Sequence, residues 1–383
     1  MKYNWNKKDL LKVKSKLISI IDEEEDNEKR KYMSTILANM EEYIQFDNSN
    51  KDNCGIDFNE ELEDIQDDIV IYGGYYSLVS RFFNGVNPFR KQIYSIEDRL
   101  ESVIKLNQSF GKISKIKISN DRAFSLVDQF YKSYFPNLYP PFTQAYNQRF
   151  NSVRFVRNVS KKSVADSVYF DVVRRYFLNI TRTKDLSKLY NLIHEYGHIT
   201  SAIINPVPRN SENIFFTEVE SFFPEMVSRY ENIGEFDINH VLFEDYTTLI
   251  NFLEASTNIQ LHSPLVNLWD ECGKKVNKTF FSAADEYYDS DQYMIGKILD
   301  TKIYDDGDYI ISYMIAIELL QIYKKDKKLA LEIFEEIIRF PNPEELQEFI
   351  ESKLNLGSNL KEYTSELLDD FSLNLRKAGI GHV

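Results

Sequence analysis

Residues 185–206, DLSKLYNLIHEYGHITSAIINP, decide how the rest of the chain is read. Leu189, Ile193, Gly197 and Ala202 recur at helical spacing, Thr183 or Asp185 can cap the first turn, and Asn205-Pro206 stops the run. The stretch is therefore predicted to be a helix. On it His194 and His198 stand four residues apart, which puts both imidazoles on one face, one turn from each other. Two rings so placed can share one zinc ion, and Glu195 beside them is the residue type that acts as general base on an attacking water. Gly197 is costly inside a helix, and the cost is explained if a side chain there would crowd a metal.

A zinc ion that keeps one position for water takes three protein ligands, and no further His or Cys pair follows closely. The acidic segment Thr217-Glu218-Val-Glu220-Ser221-Phe-Phe-Pro224-Glu225 offers three carboxylates. Glu218 is the preferred third ligand. Thr217 and Glu220 have capping-box spacing, which gives Glu220 a structural task at the start of a second helix. Glu225 lies two turns beyond Glu218 on the same face, where it can hold the second nitrogen of a ligand histidine.

Outward from this centre the pattern is mostly helical. Lys8–Ile21, Lys29–Phe46, Asn59–Phe83, Ile96–Leu106 and Asp121–Tyr134 have apolar residues at three- and four-residue spacing, and Tyr139-Pro140-Pro141 restarts the chain after the last of them. Ser152–Arg157 and Val168–Ile180 are rich in Val, Phe and Tyr and read as two or three short strands. Long helical stretches follow the motif helix. The expected fold class is mostly α (α+β), two-lobed, with a small sheet beside the motif helix and a deep cleft. An N-terminal helical region, 1–118, is expected to precede a catalytic region, 119–383.

Composition narrows the partners. The chain has 383 residues, 43% hydrophobic, with 27 Phe and 25 Tyr, enough to bury a sizeable core. Its net charge of -14 argues against a nucleic-acid partner, which would need a basic stripe. Cys54 and Cys272 are too few for a disulfide framework and suit a reducing cytoplasm. Met1–Leu11 lacks the apolar run of a secretory signal, and Tyr309–Tyr323, interrupted by Glu318, is short for a membrane span. The expectation is a soluble, cytoplasmic protein. His240 and His262 read as structural or surface residues, and Asp289-Ser-Asp291 and Asp305-Asp-Gly-Asp308 as solvated loops, lacking the Gly and Glu offsets of calcium loops.

Together, His194-Glu195-x-Gly197-His198 and Glu218-x-x-Ser221-x-x-x-Glu225 resemble the paired motifs of the thimet oligopeptidase and oligopeptidase F family of zinc metallopeptidases. The resemblance implies zinc, one ion per chain, held by His194, His198 and Glu218, and a peptide substrate. It extends loosely over residues 120–325. Tyr176–Ile180 is similar to the strand that pairs with bound peptide in that family. Asp308-Tyr-Ile-Ile-Ser-Tyr313 is similar to its tyrosine segment, which implies that Tyr313, or next Tyr309, stabilises the oxyanion of the tetrahedral intermediate.

Three departures stand out. No histidine lies between His262 and His382, where the family has one shortly before the tyrosines; Tyr304 is a weaker substitute. Pro224 sits inside the second motif, which predicts a kinked or later-starting helix and makes Glu220 or Glu225 the alternative ligand. The chain is also shorter than typical members, implying a less enclosed channel. The reading is a zinc endopeptidase acting on oligopeptides or unstructured segments. A dedicated processing protease or exopeptidase, or a non-catalytic zinc-containing peptide-binding protein, are the alternatives.

Overall fold

Apolar periodicity becomes helix where capping allows it, and the computed structural model of the chain shows this over residues 7–23, 37, 116–156, 165–170, 173–205, 218–261, 302–340, 343–354 and 359–377, which are the residues described. The described residues are mostly helical with one small sheet, as expected. They divide into two compact units, one within Met1–Gly55 and Lys117–Pro206, the other within Ile56–Ile116 and Val207–Val383. Of the expected helices, Lys29–Phe46 (apart from residue 37), Asn59–Phe83 and Ile96–Leu106 lie outside the described residues, as do Cys54, Cys272, His262 and Asp289–Asp291.

In the first unit, α1 (Lys7–Glu23) and α2 (Asn120–Tyr134) match the expected spans closely. The Ser119 hydroxyl caps α2 by accepting from the Arg122 amide at 3.2 Å. The tyrosine-proline-proline restart is α3 (Tyr139–Tyr146), with proline in its first turn, where no amide is missed. A short turn, α4 (Arg149–Ser152), leads into β1 (Val153–Val156), β2 (Ala165–Phe170) and β3 (Arg175–Thr181). Their order is β1-β3-β2, with β1 parallel and β2 antiparallel to β3.

That order corrects one expectation. β2 pairs with β3 from Arg175 to Ile180 and β1 from Leu178 to Thr181, so Tyr176–Ile180 is the central strand. From Leu178 to Ile180 it is paired on both sides, so a strand added there would have to join an outer edge. The motif helix, α5 (Ser187–Ile204), packs on β2 and β3 and on α2 and α3. It ends before Asn205 as expected but begins at Ser187, with no side-chain cap. Thr183 and Asp185 instead bond the Ser187 hydroxyl, at 3.1 and 2.6 Å, and so brace the first turn from the side.

In the second unit, α6 (Val219–Tyr230) is followed by α7 (Ile238–Leu261), α8 (Lys302–Lys325), α9 (Lys327–Arg339), α10 (Pro343–Lys353) and α11 (Leu360–Lys377). Every residue of α6 from Val219 to Arg229 is buried. That burial offsets the hydrogen bond to the Glu220 carbonyl that Pro224 cannot make, and the helix continues through the proline. Asp305–Asp308 lies within α8 and not in a loop. Glu318, buried on α8, accepts from the Asn359 amide at 3.0 Å and from its side chain, fixing the start of α11. Among the described residues, no helix is long and apolar enough to cross a membrane.

Candidate metal centre

The histidine face of α5 is set by what holds its opposite face. Tyr196, two residues from each histidine, is fully buried among Phe124, Phe142, Tyr146 and Tyr176. Its phenol lies 3.1 Å from that of Tyr176, which bonds the Ala145 carbonyl at 3.0 Å. A phenol has one proton, so Tyr176 donates to Ala145 and Tyr196 donates to Tyr176. Burial pushes both phenols above their usual range. On α2, Tyr131 stacks on Phe142 at 4.2 Å and donates to the Ile193 carbonyl at 3.2 Å, directly ahead of the first histidine.

Opposite these anchors, His194 and His198 are half-buried, with ring centroids 5.0 Å apart and planes at 81°. Glu195 is 4% exposed. Gly197 is buried in the same turn.

Glu218 occupies the N-cap position of α6, with helical φ and ψ and no side-chain cap. The expected Thr217 cap falls outside the described residues, and the helix starts one residue after Glu218. Ser221 ties the glutamate down: its hydroxyl lies 2.8 Å from the Glu218 carbonyl and 2.9 Å from Glu218 Oε2. One ligand atom from each of His194, His198 and Glu218 lies within 4.8 Å of the other two. Ligands on zinc sit roughly 3–3.5 Å from one another, given bonds of about 2.0–2.2 Å in a tetrahedron. That spacing lies within the 4.8 Å limit, and two imidazoles with one carboxylate are a donor set zinc accepts. The residues fit the ion.

The other acidic residues of the segment are placed differently. Glu220 is buried. Glu225 pairs with Arg229, one turn further along α6, and Arg229 also pairs with Asp245 on α7. Arg229 and Asp245 escaped the sequence reading, although an arginine inside an otherwise apolar helix is a signal that a buried carboxylate awaits it.

Of the tyrosine pair on α8, Tyr309 is half-buried and meets the Phe222 ring edge-on at 4.6 Å. Tyr313 is fully buried against Phe222 and Phe252. Burial, and then the Asp245 carboxylate, push the Tyr313 phenol upward, so it keeps its proton. The side chain of Tyr304 is outside the described set. His240 is half-buried on α7, 3.8 Å from Asp237.

No protein-family model and no curated protein matches the chain. Among solved structures it is similar to PZ peptidase A with an inhibitor, at 13% identity and a TM-score of 0.46, covering 68% of this chain and 50% of that one. It is also similar to a protein described as an oligoendopeptidase F, at 11% identity and a TM-score of 0.47, covering 89% of this chain and 68% of that one. A third, described as an oligoendopeptidase F from Bacillus anthracis, shares 13% identity with a TM-score of 0.44, over 92% of this chain and 64% of that one. The chain thus spans half the length of the first.

Proposed function

We propose that this chain is a zinc-dependent metallopeptidase of the oligopeptidase F kind, cleaving internal bonds of oligopeptides or unstructured segments in the cytoplasm. The observation that carries the reading is the grouping of His194, His198 and Glu218 with Glu195 in the same helical turn as the histidines. His194, His198 and Glu218 would hold one zinc ion, which when bound supplies a Lewis acid and an acidified water.

The remaining chemistry falls to the chain's own residues. Glu195 accepts the proton of the water that attacks the peptide carbonyl and passes it to the leaving amine. Its burial keeps bulk water from competing for that proton. Ser221 holds the Glu218 carboxylate in one orientation. A tyrosine phenol on α8 donates to the oxyanion that forms on the attacked carbonyl. Tyr309, half-buried one turn along from Glu218 through Phe222, is better exposed to a substrate than Tyr313.

An extended peptide would bind as an added strand on an outer edge of the sheet, where β2 lies against α5. The net charge of -14 favours peptides with basic residues over nucleic acid.

The test is cleavage of internally quenched peptides by purified protein before and after chelation. Hydrolysis that is lost with the chelator and returns with zinc supports the reading. Protein without stoichiometric divalent metal, or hydrolysis indifferent to the chelator, overturns it. A series blocked at either terminus separates endopeptidase from exopeptidase action.

A further inference from the structure

Residues 218, 222, 225 and 229 lie four, seven and eleven positions along from the first, and so return to one face of α6. Along this stripe, which is roughly 16 Å long at 1.5 Å per residue, the contacts to other helices run to α7 and α8 of the same unit. Glu218 stands at the N-cap. Phe222 meets Tyr309 at 4.6 Å and Tyr313 at 5.5 Å, both on α8. Arg229 closes the stripe, with its guanidinium 1% exposed, bonding Glu225 one turn back and Asp245 on α7. The field of Arg229 also reaches Tyr313 on α8 and Tyr363 on α11.

A buried guanidinium is costly unless its partners are fixed. Burial opposes its charge here, and the Glu225 and Asp245 carboxylates more than reverse that, holding Arg229 protonated. Glu225, on α6 itself, holds one side of the planar fork in place, and Asp245 on α7 binds its Nε, so this one buried contact crosses between the helices and ties the axial position of α6 to α7. A slide of α6 by one residue would unpair a buried charge. It would also move Phe222 off Tyr309 and shift Glu218.

From this geometry we infer that Arg229 is a positioning residue: with its guanidinium held by Glu225 and bonded to Asp245 on α7, it fixes α6 so that Glu218 and the Tyr309 ring keep one relative placement. The inference rests on the proposed zinc peptidase reading. Arg229 lies roughly 16 Å along the helix from Glu218 and acts through the helix.

The experiment compares wild type with Arg229→Lys and Asp245→Asn, each in full-length protein at a temperature well below its own unfolding midpoint. Zinc affinity is read by competition with a chromophoric chelator, and kcat and KM with a quenched peptide. Lysine keeps the charge but cannot span both carboxylates, and asparagine keeps an acceptor for Arg229 while removing the charge, so at least one variant should fold. The expected result is zinc binding weakened about tenfold and kcat lowered about tenfold, with KM within about twofold. A folded variant with a lower unfolding midpoint but unchanged zinc affinity and kcat makes Arg229 a stability element only and overturns the inference. Wild-type protein that binds no zinc overturns the peptidase reading itself, a result distinguishable because it needs no variant.

Discussion

The phenol of Tyr196 donates to the phenol of Tyr176 across 3.1 Å, and Tyr176 donates onward to the Ala145 carbonyl. This chain of two protons joins the middle of the His-Glu-Tyr-Gly-His segment to β3 and to the end of α3. It sets the roll of α5 about its axis, and with it the direction in which His194 and His198 face. A residue between the two histidines thus contributes from the far side of the helix.

The order of donation makes the two tyrosines unequal. Tyr196→Phe removes one donor and leaves Tyr176 still bonded to Ala145, a loss of about 1 kcal/mol. Tyr176→Phe leaves both the buried Tyr196 hydroxyl and the Ala145 carbonyl without that partner, a loss of about 1–3 kcal/mol. Denaturant unfolding of the two variants should rank Tyr176→Phe as the less stable. The opposite ranking would mean the protons run the other way.

Alkaline pH should unfold the protein through the same groups. The phenols of Tyr176, Tyr196, Tyr313 and Tyr363 are all raised by burial. A folded pKa above the unfolded value of about 10 gives stability that is complete below pH ~10 and is lost as pH rises towards the folded value. Lys188, lowered by burial, has the opposite sign: its share of stability grows with pH as it neutralises. Unfolding midpoints measured upward from neutral pH should fall above about pH 10, and Tyr176→Phe should flatten that fall. An equal slope in the variant would remove Tyr176 from the account.

How much of this was legible beforehand depends on the range of the interaction. His194, Glu195 and His198 could be read from spacing alone because one helix holds all three. The strands and the span of α2 followed from residue type and local periodicity. Register could not: nothing in Tyr176–Ile180 says that it pairs on both sides, since that is decided by β1 and β2, residues distant in sequence. Asp305–Asp308 looked like a loop because acidity marks both solvated turns and helix starts. The partner of Arg229 was hidden for a third reason. That carboxylate on α7, Asp245, is 16 residues away, and burial is a property of the packed unit.

Ser221 offers a direct test of how Glu218 is held. Its buried hydroxyl can donate to the Glu218 carbonyl at 2.8 Å or to Oε2 at 2.9 Å. Removing a partner of this kind typically weakens metal binding about 10- to 100-fold. Ser221→Ala should therefore bind zinc about tenfold more weakly by chelator competition, with stability lowered by about 1 kcal/mol. Unchanged affinity with the same loss of stability would restrict Ser221 to holding the start of α6.

Glu195 and the ligands should separate cleanly when stability and cleavage are measured on the same samples. A ligand that binds only the folded chain stabilises it by about 2.7 kcal/mol at 100 times its dissociation constant. Zinc should raise the unfolding midpoint of wild type, and a chelator should reverse the rise. His194→Ala and Glu218→Gln each remove one of the three grouped ligand atoms, so most of the zinc-dependent rise should vanish with peptide cleavage. Glu195→Gln leaves the three ligands in place and substitutes a side chain of the same shape that cannot take a proton. It should keep the zinc-dependent rise while losing cleavage by about 100-fold or more. If Glu195→Gln loses the rise as well, Glu195 helps to hold the ion; if it keeps full cleavage, the base lies elsewhere.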